Sequence, residues 1–254
     1  MRQLSARCVA NDLIWETFAW GAEQARRAGY ADESHDQWRL ASRVAETFDA
    51  ADPRRAGSMD SLGVCHRLVG DLERSERMHR QALELWQSAM GWVAAMPVAL
   101  KPSSVTYHRG LQDRFRDNLT EIARHQKMKL ASAGEAAARN NLACALMASS
   151  RLTEAEALLE PAVTAWRASL GARDEGLANI HHNRALLFDK QGRPGPAAQE
   201  RLFAAGILED PATQRMTRFA RDCERRMTPQ RCLMAAVYLA TGPTSGISGV
   251  EALL

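Results

Sequence analysis

Apolar positions along this chain follow helical rather than strand spacing. The clearest stripe is Met216, Phe219, Ala220, Cys223 and Met227, which falls on one face of a helix from about 213 to 227. β-branched runs are nearly absent. Val105-Thr106-Tyr107 would suit a strand, yet no Val/Ile-rich alternating segment forms anywhere. Alanine is abundant, which favours helix throughout.

The helices are organised as repeats. Asp60 through Gly91 aligns without gaps on Asn140 through Gly171, at an offset of 80. Ala-Leu-Glu-Leu-Trp at 82–86 lies over Ala-Val-Thr-Ala-Trp at 162–166, so Trp86 and Trp166 fall in register. An offset of 80 suggests two units of about 40. A step of 42 carries Asn141 to Asn183 and Ala143 to Ala185; a step back of 41 carries Gly63 to Ala22 and Gly70 to Gly29. Gly70 also reaches Gly110 at 40. Five units result, centred near 30, 70, 110, 150 and 192.

Each well-formed unit has one grammar. A first helix carries a small residue: Ala22, Gly63, Ala143 or Ala185. Seven residues later comes a turn at Gly29, Gly70, Ser150 or Gly192. A second helix carries two small residues seven apart: Ser34 and Ala41, Ser75 and Ala82, Ala155 and Ala162, Ala197 and Ala204. Antiparallel helices approach to about 8 Å only where side chains are small. Glycine at the turn takes φ > 0 at the end of the first helix without steric cost.

The stretch Ala138-Arg139-Asn140-Asn141-Leu142-Ala143, then Leu152 to Leu159 with its Glu154-Ala155-Glu156 segment, then Ser169-Leu170-Gly171, resembles the tetratricopeptide repeat. The longer 42-residue form found in kinesin light chains is the one it resembles. The resemblance implies an all-α fold, a right-handed α-solenoid of about five helix-turn-helix repeats with C-terminal capping helices. The expected repeats are about 12–50, 56–91, a degenerate 97–130, 135–171 and 174–210. Pro97 and Pro102 fall where the third unit's first helix should run, so that helix is expected to be short, with its partner from Leu111 to about Leu130. Capping helices are expected over 213–240, the second opened by Thr228-Pro229, with a flexible Gly- and Ser-rich tail over 241–254.

The resemblance also implies a binding face. Asn141 and Asn183 precede the packing residue of their helices, the family's position for holding the backbone of an extended peptide in a concave groove. An amide both donates and accepts, so it suits any peptide sequence. Arg26, Arg67 and Lys190, shortly past each packing position, would make the groove mildly basic together with Asn140 and His182. The expected partner is a protein or peptide. The competing reading makes these residues ordinary surface groups. A regulatory domain that senses a small ligand or self-associates is the alternative function, and the distorted third unit is where it would act.

Composition narrows the rest. A net charge of +3 over 254 residues is close to neutral and argues against nucleic acid as the partner. Arg215, Arg218, Arg221, Arg225 and Arg226 form one basic cluster, better read as a solvated capping face because no aromatic platform accompanies it. Five cysteines, Cys8, Cys65, Cys144, Cys223 and Cys232, show no C-x-x-C spacing and suit free thiols in the cytoplasm. His181-His182 and the pair His66 and His79 lack metal-ligand spacing. Trp86 and Trp166 are packing residues. No catalytic motif, cofactor signature, secretory signal or membrane span is found, so the chain is expected not to be an enzyme.

Overall fold

A computed structural model describes residues 2–50, 52–95 and 107–226. Among them the secondary structure is helical, with no strand: α1 (Arg2–Ala28), α2 (Ala31–Ala45), α3 (Pro53–Leu68), α4 (Leu72–Ala95), α5 (Tyr107–Ala148), α6 (Leu152–Leu170), α7 (Glu175–Lys190), α8 (Pro194–Glu209) and α9 (Pro211–Arg226). From α1 to α8 each helix packs on the next, giving four helix pairs in a row. The expected all-α solenoid is therefore the fold. The second expected capping helix and the tail lie outside the described residues.

The turns close as the repeat grammar requires. Gly29, Gly70, Ser150 and Gly192 have φ of 84°, 82°, 61° and 69°. At each turn the next residue's N–H reaches back five residues to a carbonyl: Tyr30 to Ala25, Asp71 to His66, Arg151 to Leu146 and Arg193 to Phe188, at 2.8, 2.9, 2.9 and 2.8 Å. That bond, with a left-handed residue before it, is the Schellman closure of a helix. The helices α3, α7 and α9 start on aspartate. Asp52, Asp174 and Asp210 accept from the N–H of Arg54, Gly176 and Ala212, and proline follows Asp52 and Asp210 at the first helical position.

The small residues lie where the helices touch. Ala22, Gly63, Ala143 and Ala185 are buried, as are Ser34, Ala41, Ser75, Ala82, Ala155, Ala162, Ala197 and Ala204. Around them Leu142, Leu146, Leu159, Val163, Leu177, Ile180 and Leu187 form the core of α5, α6 and α7. Trp86 and Trp166 each seat on a glycine of the following first helix. A Cβ on Gly134 would stand 2.3 Å from the Trp86 ring, and one on Gly176 would stand 2.0 Å from the Trp166 ring.

The structure differs from expectation between α4 and α6. Instead of a degenerate third helix pair over 97–130, residues 107–130 run unbroken into the first helix of the next unit, making α5 42 residues long. Gly110, expected at a turn, lies in the first turn of α5. Between Gly110 and Gly134 there is no glycine or proline to stop a helix. The α3–α4 pair therefore stacks directly on the α5–α6 pair, as the Trp86–Gly134 contact shows. The offset of 80 is one repeat plus an insertion of similar length, not two repeats. Pro97 and Pro102 lie outside the described residues.

Ser150 does with a side chain what glycine does elsewhere, and a left-handed non-glycine residue is strained by about 1–2 kcal/mol. Ser150→Gly should stabilise the chain by about 1 kcal/mol, while Gly192→Ala should destabilise it by a similar amount. Urea unfolding of both variants checks this, and a destabilised Ser150→Gly would contradict it.

Candidate functional site

The asparagines singled out from the sequence sit in a polar row across α3, α5 and α7. Asn141 and Asn183 are half-buried, as are Asn140 and Asp60. The Asn141 amide donates to Asp60 Oδ2 at 2.7 Å, and the Asn183 amide donates to Asn140 Oδ1 at 2.9 Å. Asp60 and Asn140 occupy the same repeat position, one residue before the asparagine position. The two bonds are thus the same contact made twice, α3 to α5 and α5 to α7. This ladder brings together Asn140, Asn141 and Asn183 and adds Asp60, which the sequence reading did not single out.

Asp60 is itself held. His79 of α4 places Nδ1 2.6 Å from Asp60 Oδ1. The ring is fully buried and seats against Gly63, where a Cβ would lie 2.6 Å away. Gly63 thus replaces the alanine of the other first helices because the imidazole needs the space. An ionised carboxylate only accepts hydrogen bonds. Asp60 therefore fixes the amide of Asn141 with its NH2 turned inward and its Oδ1 turned away from the carboxylate.

A second buried histidine repeats the chemistry with the helices exchanged. His181 of α7 places Nδ1 2.6 Å from Glu200 Oε2 of α8, and Arg184 lies 3.2 Å from the other Glu200 oxygen. Both Glu200 and His181 are buried. A buried carboxylate is tolerable when a cation and a second donor satisfy it, as here. Among the described residues no cluster of His, Cys, Asp and Glu has a metal-binding arrangement.

The remaining candidates separate. Arg26 is exposed and held by Glu23 through bonds of 2.8 and 2.6 Å, and Arg27 shares that carboxylate at 2.9 Å. Arg67 is half-buried, and its Nε has no hydrogen-bond partner. His182 and Lys190 are exposed. Arg215 and Arg218 are exposed on α9, while the side chains of Arg221, Arg225 and Arg226 lie outside the described ones. Cys144, beside Arg67 and Asp60, has its thiol pushed up by burial, which suits a packing residue rather than a nucleophile. Among the described residues no helix is long and apolar enough to cross a membrane.

Residues 55–94 and residues 134–199 match two family models, each described as tetratricopeptide repeat. Among solved structures, the chain is similar to one titled as a Podosopora anserina kinesin light chain with nearly identical TPR-like repeats. The identity is 15%, covering 77% of this chain and 95% of that one, with a TM-score of 0.32. A substituted form of the same protein gives 18% identity over 80% of this chain and 98% of that one, also at 0.32. A search of curated proteins finds no match.

The ladder predicts unequal losses. Asn141→Ala removes a hydrogen bond to a carboxylate and should cost about 1.5–3 kcal/mol of stability, whereas Asn183→Ala removes a neutral bond and should cost about 0.5–1.5 kcal/mol. Chemical denaturation of the two variants measures the difference. Wild-type stability in both would mean that the ladder does not form.

Proposed function

We propose that this chain, which carries tetratricopeptide repeats over 55–94 and 134–199, is a protein-interaction module that holds an extended segment of a partner across α3, α5 and α7. Repeats of this kind generally bind proteins or peptides. The observation that carries the reading is the polar ladder. Amide groups from successive first helices stand in one row and are oriented before any partner arrives. Preorganised groups lose less entropy on binding than mobile ones.

The ladder also refines the roles. Asn141 and Asn183 spend one N–H each on their neighbours, so each offers Oδ1 to a backbone N–H of the partner. Asn140 spends its Oδ1 and offers its NH2 to a carbonyl. Arg67 and Lys190 add positive charge beside the row and favour an acidic segment, and His182 extends it on α7. Arg26 contributes less, because it is bonded to the Glu23 carboxylate, which Arg27 shares.

The test begins with a peptide selected from a displayed random library on the full chain. Its affinity is then measured for Asn141→Ala with Asn183→Ala, and separately for Arg215→Ala with Arg218→Ala, with folding of each variant checked by denaturation. Loss of the two amides should weaken binding by about tenfold per bond, and loss of the α9 arginines should leave it unchanged. Normal binding by the folded asparagine variant, with loss in the arginine variant, would move the site to α9.

A further inference from the structure

We infer that the junction between the α1–α2 pair and the α3–α4 pair is an acid-sensitive hinge, latched by His35 and His66 where the later junctions are bolted by arginine and glutamate. The inference is independent of where a partner binds.

The repeat register carries it. The residue after the first small residue of the second helix is Glu76 in α4 and Glu156 in α6, and the residue after the turn of the following pair is Arg151 and Arg193. Arg151 Nη1 lies 2.8 Å from both Glu76 oxygens, and Arg193 Nη1 lies 2.9 Å from Glu156 Oε1. Gln191 adds a 2.8 Å bond to the other Glu156 oxygen. The same contact thus pins α4 to the turn between α5 and α6, and α6 to the turn between α7 and α8. At the first junction the two positions are His35 and Asp71, which exchanges the sides on which base and acid stand. His66 replaces the Leu146 and Phe188 of the later units. The rings of His35 and His66 meet edge to face, with centroids 5.1 Å apart.

Asp71 is poorly placed to compensate two imidazolium charges. Its Oδ1 already caps α4 by accepting from the Arg74 N–H at 3.1 Å, and its Oδ2 lies 3.4 Å from Arg74 Nη1 but 3.9 Å from His66 Nδ1. The other charges facing the two rings are Asp36 of α2, 3.9 Å from His35, and Arg74 and Arg77 of α4, which act on His66 with the sign of a proton. On α1, Glu23 and Arg26 face the neighbouring Cys65, and Arg27 shares the Glu23 carboxylate at 2.9 Å. When both rings are neutral they pack. When both are protonated, two like charges stand about a ring's width apart in a half-buried seam, with two arginines beside them.

The direction of the pH dependence follows. Burial and then the His35 charge hold His66 below the ordinary histidine value, although Asp71 pulls the other way. A histidine whose folded value lies below its unfolded value of about 6.5 leaves the junction at full strength above that pH and weakens it as pH falls through that range. The bolted junctions respond elsewhere. Burial raises the Glu76 carboxyl, but hydrogen bonds from Arg80 and Arg151 outweigh it and hold the group below the usual carboxylate range. Glu156 is lowered by its bonds from Gln191 and Arg193. Depressed carboxylates keep their contribution until the pH falls below about 4. Between about pH 4.5 and 6.5 the first junction loosens while the Glu76 and Glu156 contacts persist, which frees the α1–α2 pair to move against the rest of the array.

Amide hydrogen exchange on the full chain at about pH 7.5 and pH 5.5, corrected for intrinsic rates, tests this. Amides of α2 should exchange severalfold faster in acid, while those of α6, α7 and α8 keep their protection. His66→Gln should remove most of the acid effect, because burial of that ring is the larger cause. His35→Glu combined with Asp71→Arg should install the later junctions' bolt and keep α2 protected at both values. Equal protection of α2 at the two pH values in the wild-type chain would overturn the proposal. So would acid loosening that persists in both variants, or that spreads equally to α6, α7 and α8.

Discussion

The structure depends on how closely a helix can approach its successor. That approach is set by two steric facts acting together. The touching faces must be small, and the chain must reverse within about two residues, which only a left-handed backbone residue allows. Ala143 with Ser150 and Ala155, or Gly63 with Gly70 and Ser75, meet both conditions in one hairpin. Once the hairpins are fixed, stacking follows, because each pair leaves a face that only the next pair covers. Trp86 and Trp166 show the same constraint between pairs, since a large ring on one helix demands glycine on the next.

That dependence explains why the fold was legible in the sequence and where it ceased to be. Small residues and positive-φ turns are local requirements, written at fixed spacings, and they appear in the chain as columns. The third unit failed for a different reason. An insertion of about one repeat's length between Gly91 and Gly134 imitates a repeat in arithmetic, and Gly110 falls in the turn column by coincidence. The physical signal against a turn was available. Nothing between Gly110 and Gly134 stops a helix, and Gly134 stands to Trp86 as Gly176 stands to Trp166.

The polar row was legible only in part. Asn141 and Asn183 stand out because they recur, but their partners depend on which helix stacks on which. Asp60 lies 81 residues from Asn141, while Asn140 lies 43 from Asn183. These are the same contact only when the insertion is recognised. The buried pairs His79–Asp60 and His181–Glu200 leave no column at all, because the histidine is on the second helix in one and on the first helix in the other. A buried imidazole facing a carboxylate is a solution found separately in each hairpin, so periodicity cannot reveal it.

Junctions in a stacked array interact only with their neighbours, so their strengths need not match. The later two junctions rest on guanidinium–carboxylate bonds whose partners stay charged across the neutral and mildly acidic range. The first rests on two imidazole rings packed edge to face. Side-chain contacts add to its hold: Trp15 of α1 donates to Ser58 of α3 at 2.8 Å, and Ser34 of α2 lies 3.8 Å from the Cys65 sulfur. These contacts are uncharged and do not respond to pH. They align α1 and α2 on α3 without opposing repulsion at the turn side of the seam. A chain built this way is joined at one end by hydrogen bonds, two packed imidazoles and the Arg54 guanidinium 6.0 Å over the Trp15 ring, and further along by guanidinium–carboxylate bonds and the Trp86 and Trp166 contacts. The polar row of Asp60 on α3, Asn140 and Asn141 on α5 and Asn183 on α7 lies beyond that first junction. Motion of the first pair would therefore change what flanks the row without disturbing the geometry of the amides themselves.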